Sequence, residues 1–173
     1  MALRGTNQEL GRPLNRRIVL ETIRQKGPVT RVQIARQVGL TVQTVSTIAA
    51  ELEKLGIIGI HPGMPKGRGF PAPRLEVNPN GGFACGVYVT PLGLEAGLMN
   101  LSGEVLDTYS EAATQISADA AFDRISAVVA KLVADIPPEK VFGVGMAMPG
   151  PFDIESMSCV GPTTMEQWRG VDV

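Results

Sequence analysis

Apolar residues in the first third of the chain recur every three or four positions, the spacing that places them on one face of a helix. The first such segment has its apolar positions at Leu14, Ile18, Val19 and Ile23. It ends at Gly27-Pro28, because proline has no N–H to donate and cannot continue a helix. We therefore predict a first helix that stops before Pro28 and follows a flexible arm over residues 1–12.

Two further segments carry residues that start and stop helices. Thr30 and Thr41 are suited to N-caps, since a threonine hydroxyl can accept a hydrogen bond from a free backbone N–H. Gly39 supplies a turn between the segments, and Gly56 closes the second one. The segment after Thr41, the third predicted helix of the chain, carries one apolar stripe. The stripe is formed by Val45, Ile48, Ala49, Leu52 and Leu55. A short helix, a glycine turn and a capped amphipathic helix predict a helix-turn-helix.

A hairpin is predicted after the third helix. Residues 57–60 and 74–77 have the composition of two antiparallel strands. The loop between them is rich in glycine and proline and contains Lys66 and Arg68. Such a loop brings backbone close to a partner while its cations reach phosphates or a narrow minor groove. The pattern predicts a winged helix-turn-helix domain over residues 13–78.

Charge divides the chain at nearly the same place. Residues 1–80 contain 12 Lys+Arg and 5 Asp+Glu, a net charge of +7, whereas residues 81–173 contain 4 and 12, a net charge of −8. The first half suits a polyanion that the second half would repel. The net charge of −1 for the whole chain conceals this division.

These features predict that the first domain binds double-stranded DNA, with its third helix in the major groove. Gln43 can pair with adenine through two hydrogen bonds, and the Val42 methyls can contact a thymine methyl. The predicted DNA-binding residues are Thr30, Arg31, Thr41, Val42, Gln43, Thr44, Thr47, Lys66 and Arg68. One alternative is a non-DNA protein-interaction module with an ordinary loop. For Lys66 and Arg68 alone, the alternative is two solvated cations.

A turn-rich linker over residues 78–82 leads into a second domain. Three strand-like runs follow, over residues 83–90, 94–100 and 105–111, and predict an antiparallel meander. Apolar spacing then predicts a helix over residues 117–136. A further apolar run, residues 141–148, has the length of a buried strand.

Several motifs together resemble the ROK family of repressors, open reading frames and sugar kinases, in its xylose and N-acetylglucosamine repressor branch. The motifs are R-x-Q-I-A-R-Q-V-G-L-T-V-Q-T-V-S, K-G-R-G-F-P-A-P-R-L, E-A-G-L-M-N-L-S-G-E-V-L, V-G-M-A-M-P-G-P-F-D and W-R-G-V-D-V. The resemblance covers nearly the whole chain. It implies an architecture of α+β and α/β parts, in which residues 83–173 are a truncated actin-like, ribonuclease-H-like domain of the sugar-kinase type.

The chain departs from the D-x-G-x-T-K phosphate loop of the family's kinases. Tyr88 stands in place of the acidic residue, Thr90 and Pro91 replace the glycines, and Gly93 stands in place of the lysine. A metal-associated carboxylate, a phosphate-facing N–H and a balancing cation are thus missing. We therefore expect no ATP use, no cofactor and no enzyme activity, and a sugar kinase is the disfavoured alternative.

The resemblance implies a homodimeric transcriptional regulator, a repressor of carbohydrate-related genes that responds to a sugar or amino sugar. Most of the family's sugar-contacting residues lie downstream of the position of Trp168, so we expect effector binding only if that part is supplied. An incomplete sheet would expose apolar surface on the predicted helix and last strand and favour pairing with another chain.

Cysteine, histidine and hydropathy patterns add the remaining expectations. Cys85 and Cys159 are far apart and His61 is the only histidine, which predicts two reduced, buried thiols and no zinc site. The chain has neither an apolar leader nor a run of roughly 18 apolar residues, so we expect a cytoplasmic protein without a membrane span.

Overall fold

The computed structural model describes residues 11–63, 71–113, 117–153, 155–156, 158–160 and 164–171. The chain divides into two compact units between Gly81 and Gly82. The predicted arm up to residue 10 and the predicted wing tip lie outside the described residues. Among the helices of the described part, none combines the length and the apolar composition that a bilayer crossing requires.

Capping interactions delimit the helices of the first unit. These helices are α1 (Arg12–Lys26), α2 (Arg31–Val38) and α3 (Val42–Lys54). The Thr30 hydroxyl accepts a hydrogen bond from the Gln33 N–H at 3.3 Å, and the Thr30 N–H donates to Gln33 Oε1 at 2.9 Å. Gly39 then turns the chain at φ 72°, a conformation that glycine adopts without a Cβ clash. The predicted helix-turn-helix is therefore present.

A three-stranded antiparallel sheet completes the first unit, in the order β1-β3-β2. Its strands are β1 (Val29–Thr30), β2 (Ile58–His61) and β3 (Arg74–Val77). Strand β3 has the predicted bounds, and β2 begins one residue later than predicted. Strand β1 has no predicted counterpart, because two residues are too few to show alternation. It pairs Val29 with Leu75 and so joins the helix-turn-helix to the wing.

The helices and the sheet enclose one apolar core. It consists of Ile18, Val19, Ile23, Val29, Ile34, Ala35, Val38, Leu40, Val45, Ile48, Ala49, Leu52, Ile58 and Leu75. Leu55, predicted to share the apolar stripe of α3, does not belong to this core. Its side chain is 54% exposed because the regular helix ends at Lys54 and Leu55 lies beyond the last turn.

The second unit is a four-stranded sheet with one helix on one face. Its elements are β4 (Phe83–Thr90), β5 (Gly93–Asn100), β6 (Val105–Ala112), α4 (Ala118–Leu132) and β7 (Val141–Ala147). The sheet order is β6-β5-β4-β7, in which the first three strands form the predicted antiparallel meander and β7 joins β4 in parallel. Helix α4 begins at the predicted position, capped by Ser117, but ends four residues earlier than predicted.

Helix α4 is attached to the sheet by apolar and polar contacts. Val128 and Leu132 are buried against the sheet, so this part of the predicted exposed helix is covered. On β6, the Glu111 carboxylate accepts hydrogen bonds from the Arg124 guanidinium of α4 and, at 2.9 Å, from the Tyr109 hydroxyl. The hydrogen bond to Glu111 raises the pKa of Tyr109, because the carboxylate holds the phenol proton.

Residues 141–147 form a strand, as predicted, but the prediction that this strand is buried is wrong. Strand β7 is at an edge of the sheet, and its Phe142 and Val144 side chains are 56% and 50% exposed. Only one neighbouring strand pairs with β7, and α4 packs against the other three strands. On β4, the alternate residues Ala84, Gly86 and Tyr88 are exposed as well. The face of this sheet opposite α4 is therefore open within the described part of the chain.

The difference between Leu52 and Leu55 gives a test of the first unit's core. Leu52→Ala removes a side chain that is 1% exposed, and we expect a loss of about 2–5 kcal/mol in the free energy of unfolding from the lost burial and the residual cavity. Leu55→Ala, three residues along, should cost less than about 1 kcal/mol. Urea unfolding followed by circular dichroism measures both. Equal losses for the two variants would contradict this assignment of the core.

Candidate nucleic-acid interface

The N-terminal end of α3 lies outside the core, and Thr41 caps it. The Thr44 N–H donates to the Thr41 hydroxyl at 3.1 Å, and the two threonine hydroxyls lie 2.8 Å apart. Both hydroxyls are therefore already engaged within the helix end. Thr41 and Thr44 shape and orient this end of α3, and their remaining hydrogen-bonding capacity is smaller than the sequence alone indicates.

Gln43 is the side chain with the most free hydrogen-bonding capacity on this surface. It is exposed, and its side-chain amide makes no hydrogen bond to any residue that the structure describes. Val42 beside it is 44% exposed. The Thr47 hydroxyl, one turn further, donates to the Gln43 carbonyl at 3.2 Å and remains exposed. A free amide, an exposed branched methyl pair and a hydroxyl are groups that read base edges in a major groove.

Two positions on the same face were not among the predicted residues. Ser46 is half-buried and Ala50 is exposed, and they lie three and seven residues after Gln43. These spacings place them on the face that carries Gln43 and Thr47. The signal in the sequence that identifies both is the helical spacing of the polar face of α3.

The start of α2 carries a cation. Arg31 is the first residue of α2, and its guanidinium has no hydrogen-bond or ion-pair partner among the residues that the structure describes. Thr30 is different, because its hydroxyl and its N–H both contact Gln33. From residue 30 to residue 50 the chain has no Asp or Glu, so no carboxylate within these elements opposes a phosphate.

The wing is described only at its base. There, His61 of β2 lies opposite Arg74 of β3, and the Arg74 guanidinium donates to the Pro28 carbonyl at 3.4 Å. Lys66 and Arg68, predicted to contact DNA, lie outside the described residues. Their assignment to the interface therefore stays a prediction.

One cation of α1, Arg24, is paired within its own helix. Arg24 forms a salt bridge with Glu21 at 2.7 Å, and its hydrogen bond lowers the pKa of that carboxyl to about 2. Arg24 therefore has an ionised partner at all physiological pH values. It is less suited than Arg31 to pair with a phosphate.

The hairpin turn that replaces a kinase phosphate loop is closed by its own hydrogen bonds. The Thr90 hydroxyl accepts from the Leu92 N–H at 3.1 Å and contacts the Gly93 carbonyl at 3.4 Å. At Gly93, where kinases of the resembled family carry lysine, a Cβ would lie 2.1 Å from the Glu111 carbonyl oxygen. No larger residue fits there without moving the backbone of β6.

The two cysteines lie in the core of the second unit. Cys85 and Cys159 are buried and free, and burial raises the pKa of both thiols. A buried thiol with a raised pKa is a weak nucleophile. This arrangement favours a packing role for both side chains.

Comparison with known proteins places the first unit among DNA-binding domains. Residues 13–58 match the family described as winged helix-turn-helix DNA-binding. The xylose repressor of Caldicellulosiruptor bescii is 28% identical over 154 residues, which are 87% of this chain and 38% of that protein. An uncharacterized protein of Sinorhizobium fredii is 28% identical over 145 residues, 83% of this chain and 37% of its own length.

A solved structure extends the similarity of fold through both units. It is the crystal structure of a ROK family transcriptional regulator, a homolog of the E. coli MLC protein, with a TM-score of 0.67 and 21% sequence identity. The match covers 88% of this chain and 39% of that one. Both units therefore share the fold of that ROK regulator, and the chain spans somewhat under two fifths of the length of these relatives.

The role of Thr41 as a cap can be separated from a role in binding DNA. Thr41→Ala should lower the free energy of unfolding by about 1 kcal/mol, because the Thr44 N–H loses its acceptor. Thr41→Asn retains a side-chain acceptor and should unfold within a few tenths of a kcal/mol of the parent. Thermal unfolding in the absence of DNA provides the measurement. A Thr41→Ala variant as stable as the parent would show that the cap is dispensable.

Proposed function

We propose that this protein is a DNA-binding transcriptional regulator of the ROK type, acting as a repressor of carbohydrate-related genes. The observation that supports this best is the capped N-terminal end of α3, which presents exposed Gln43, Val42 and Thr47. The match of residues 13–58 to winged helix-turn-helix DNA-binding domains agrees with it. A relative called a xylose repressor supports the carbohydrate context.

In the proposed complex, α3 enters the major groove with its N-terminal end against the base edges. Gln43 forms two hydrogen bonds with an adenine, Val42 contacts a thymine methyl, and Thr47 reaches a base or a phosphate. Arg31 and the N-terminal end of α2 contact the phosphate backbone. Lys66 and Arg68 of the wing tip add contacts to phosphates or to the minor groove.

Regulation in this proposal needs a second copy and an effector. Two copies would present their α3 helices to half-sites about one helical turn apart. A sugar or amino sugar would shift the population between DNA-binding and released forms, if the part of the ROK domain that follows in relatives is supplied. The protein would act where the DNA is, in the cytoplasm. No catalytic step is proposed, because Gly93 leaves no room for a phosphate-balancing lysine.

The wing cations predict a specific salt dependence. Arg68→Ala should weaken binding to a duplex selected from a random-sequence pool, and should reduce the slope of log K against log salt by about one unit, since one fewer phosphate is neutralised. Fluorescence anisotropy across a salt series measures this slope. Lys131→Ala, which removes a cation from α4, is the matched control and should leave the slope unchanged. An unchanged slope for Arg68→Ala would remove Arg68 from the interface.

Gln43 should affect specificity more than general affinity. Gln43→Ala removes the bidentate donor and acceptor, so we expect about 1–3 kcal/mol less discrimination at one adenine of the selected duplex. Affinity for random duplex DNA should stay within a factor of about two, because that binding is set by phosphate contacts. Gln167→Ala in the second unit is the control. Equal loss on selected and random duplexes would contradict base reading by Gln43.

A further inference from the structure

A groove of about 820 Å³ lies between α1 and α3, at the far end of α3 from its cap. Its lining includes Arg16, Arg17 and Leu20 of α1 and Glu51, Lys54 and Leu55 near the end of α3. Helix α3 has 13 residues, so by helical rise this end is about 20 Å from Thr41. The groove is therefore well separated from the proposed DNA-binding end.

The groove combines a cationic rim with an apolar floor. The Arg12 guanidinium pairs with Glu51 at 2.5 Å. Arg16 and Lys54, in contrast, have no hydrogen-bond or ion-pair partner in the described part of the chain. Leu20 and the exposed Leu55 form the apolar floor. Such a groove suits a partner segment whose apolar side chains are flanked by carboxylates.

A segment with this chemistry is present on the second unit, at residues 104–107. Val105 and Leu106 are consecutive in sequence, yet their side chains are 54% and 46% exposed, and Glu104 and Asp107 flank them. The pairing of β5 with β6 shifts between Leu98 and Met99, so Leu106 has no paired residue on β5. An extra residue of this kind interrupts the alternation of faces, which explains two adjacent exposed apolar side chains.

This acidic-apolar segment is also open to a partner. Its residues from Val105 onward lie on β6, an edge strand, and within the described part of the chain β5 is the one strand that pairs with β6. Glu104 uses Oε2 to accept from Asn100 Nδ2 at 3.0 Å, and Asp107 uses Oδ1 to accept from the Thr108 N–H at 2.8 Å. The other oxygen of each carboxylate makes no hydrogen bond to a described residue, and both side chains are exposed.

We propose that the groove of one copy binds the acidic-apolar segment of a second copy, with Val105 and Leu106 on the leucine floor and Glu104 and Asp107 against Arg16 and Lys54. A dimer in which each copy offers its groove to the other would contain two such contacts. The opposite net charges of the two halves of the chain, +7 and −8, favour this pairing over contacts between like halves. This contact belongs to the homodimer of the proposed function, on which it rests, and dimerisation can be measured separately from DNA binding.

Charge reversal on each side of the contact provides the test. One variant carries Arg16→Glu and Lys54→Glu, and the other carries Glu104→Lys and Asp107→Lys. Each alone would place like charges together, so its dimer dissociation constant should rise by at least about tenfold over the parent in sedimentation velocity. An equimolar mixture should form a one-to-one heterodimer, because both contacts then join opposite charges. Lys131→Glu and Glu139→Lys are controls that change the same charges elsewhere.

Any one of three results on the oligomeric state would overturn this inference. The first is a parent chain that stays monomeric up to roughly 100 μM, a concentration at which even a small interface is populated. The second is a pair of variants that dimerise as the parent does. The third is an equimolar mixture that stays monomeric. Because Glu104 also holds Asn100, Leu106→Ser serves as a second variant that changes no charge and should also weaken the dimer. Binding to a duplex with one half-site should be equal for both reversed variants. A loss confined to the groove variant would instead assign the groove to phosphate contact and reject the docking of a second copy.

Discussion

The burial of one face of α3 is the constraint on which the proposed DNA-binding surface depends. Val45, Ile48 and Leu52 lie in the core with α1, α2 and the winged sheet, so the helix cannot rotate without exposing them. That fixed rotation leaves Gln43 and Thr47 outside the core. The caps at Thr30 and Thr41 then set where α2 and α3 begin. The exposure of Gln43 and Thr47 is thus a consequence of the packing of the opposite face of α3.

In the second unit, only one face of the sheet is buried within the described part of the chain. Alternate residues of β4 and β5 are buried under α4, while their neighbours on the opposite face are exposed. A sheet with an open face and free edges carries an association hazard unless something covers it. Glycine and alanine at exposed positions such as Gly86 and Ala84 reduce the apolar area of that face but also allow close approach. Larger exposed apolar side chains occur on all four strands: Tyr88 on β4, Met99 on β5, Val105 and Leu106 on β6, and Phe142 and Val144 on β7.

Local signals in the sequence were sufficient where one short-range interaction decides the structure. Thr30, Gly39 and Thr41 are examples, because a cap or a left-handed turn needs only neighbouring residues. The sequence was insufficient where burial depends on distant partners. The apolar run of β7 indicates a strand, but whether it is buried depends on what lies beside it in the sheet. Leu55 matches the period of α3, yet the helix ends one residue before it.

The same distinction applies to the candidate interface. Residue types alone placed Thr41, Gln43 and Thr44 together among the predicted DNA-binding residues, with Thr41 also as an N-cap. The structure separates them, since the two threonine hydroxyls are committed to the helix end and the glutamine amide is free. A cap hydroxyl that turned to a base would leave a backbone N–H without its acceptor, which offsets much of the gain. Specificity in this domain should therefore depend on Gln43 and its neighbours along the exposed face of α3, and the caps contribute by holding that face in place.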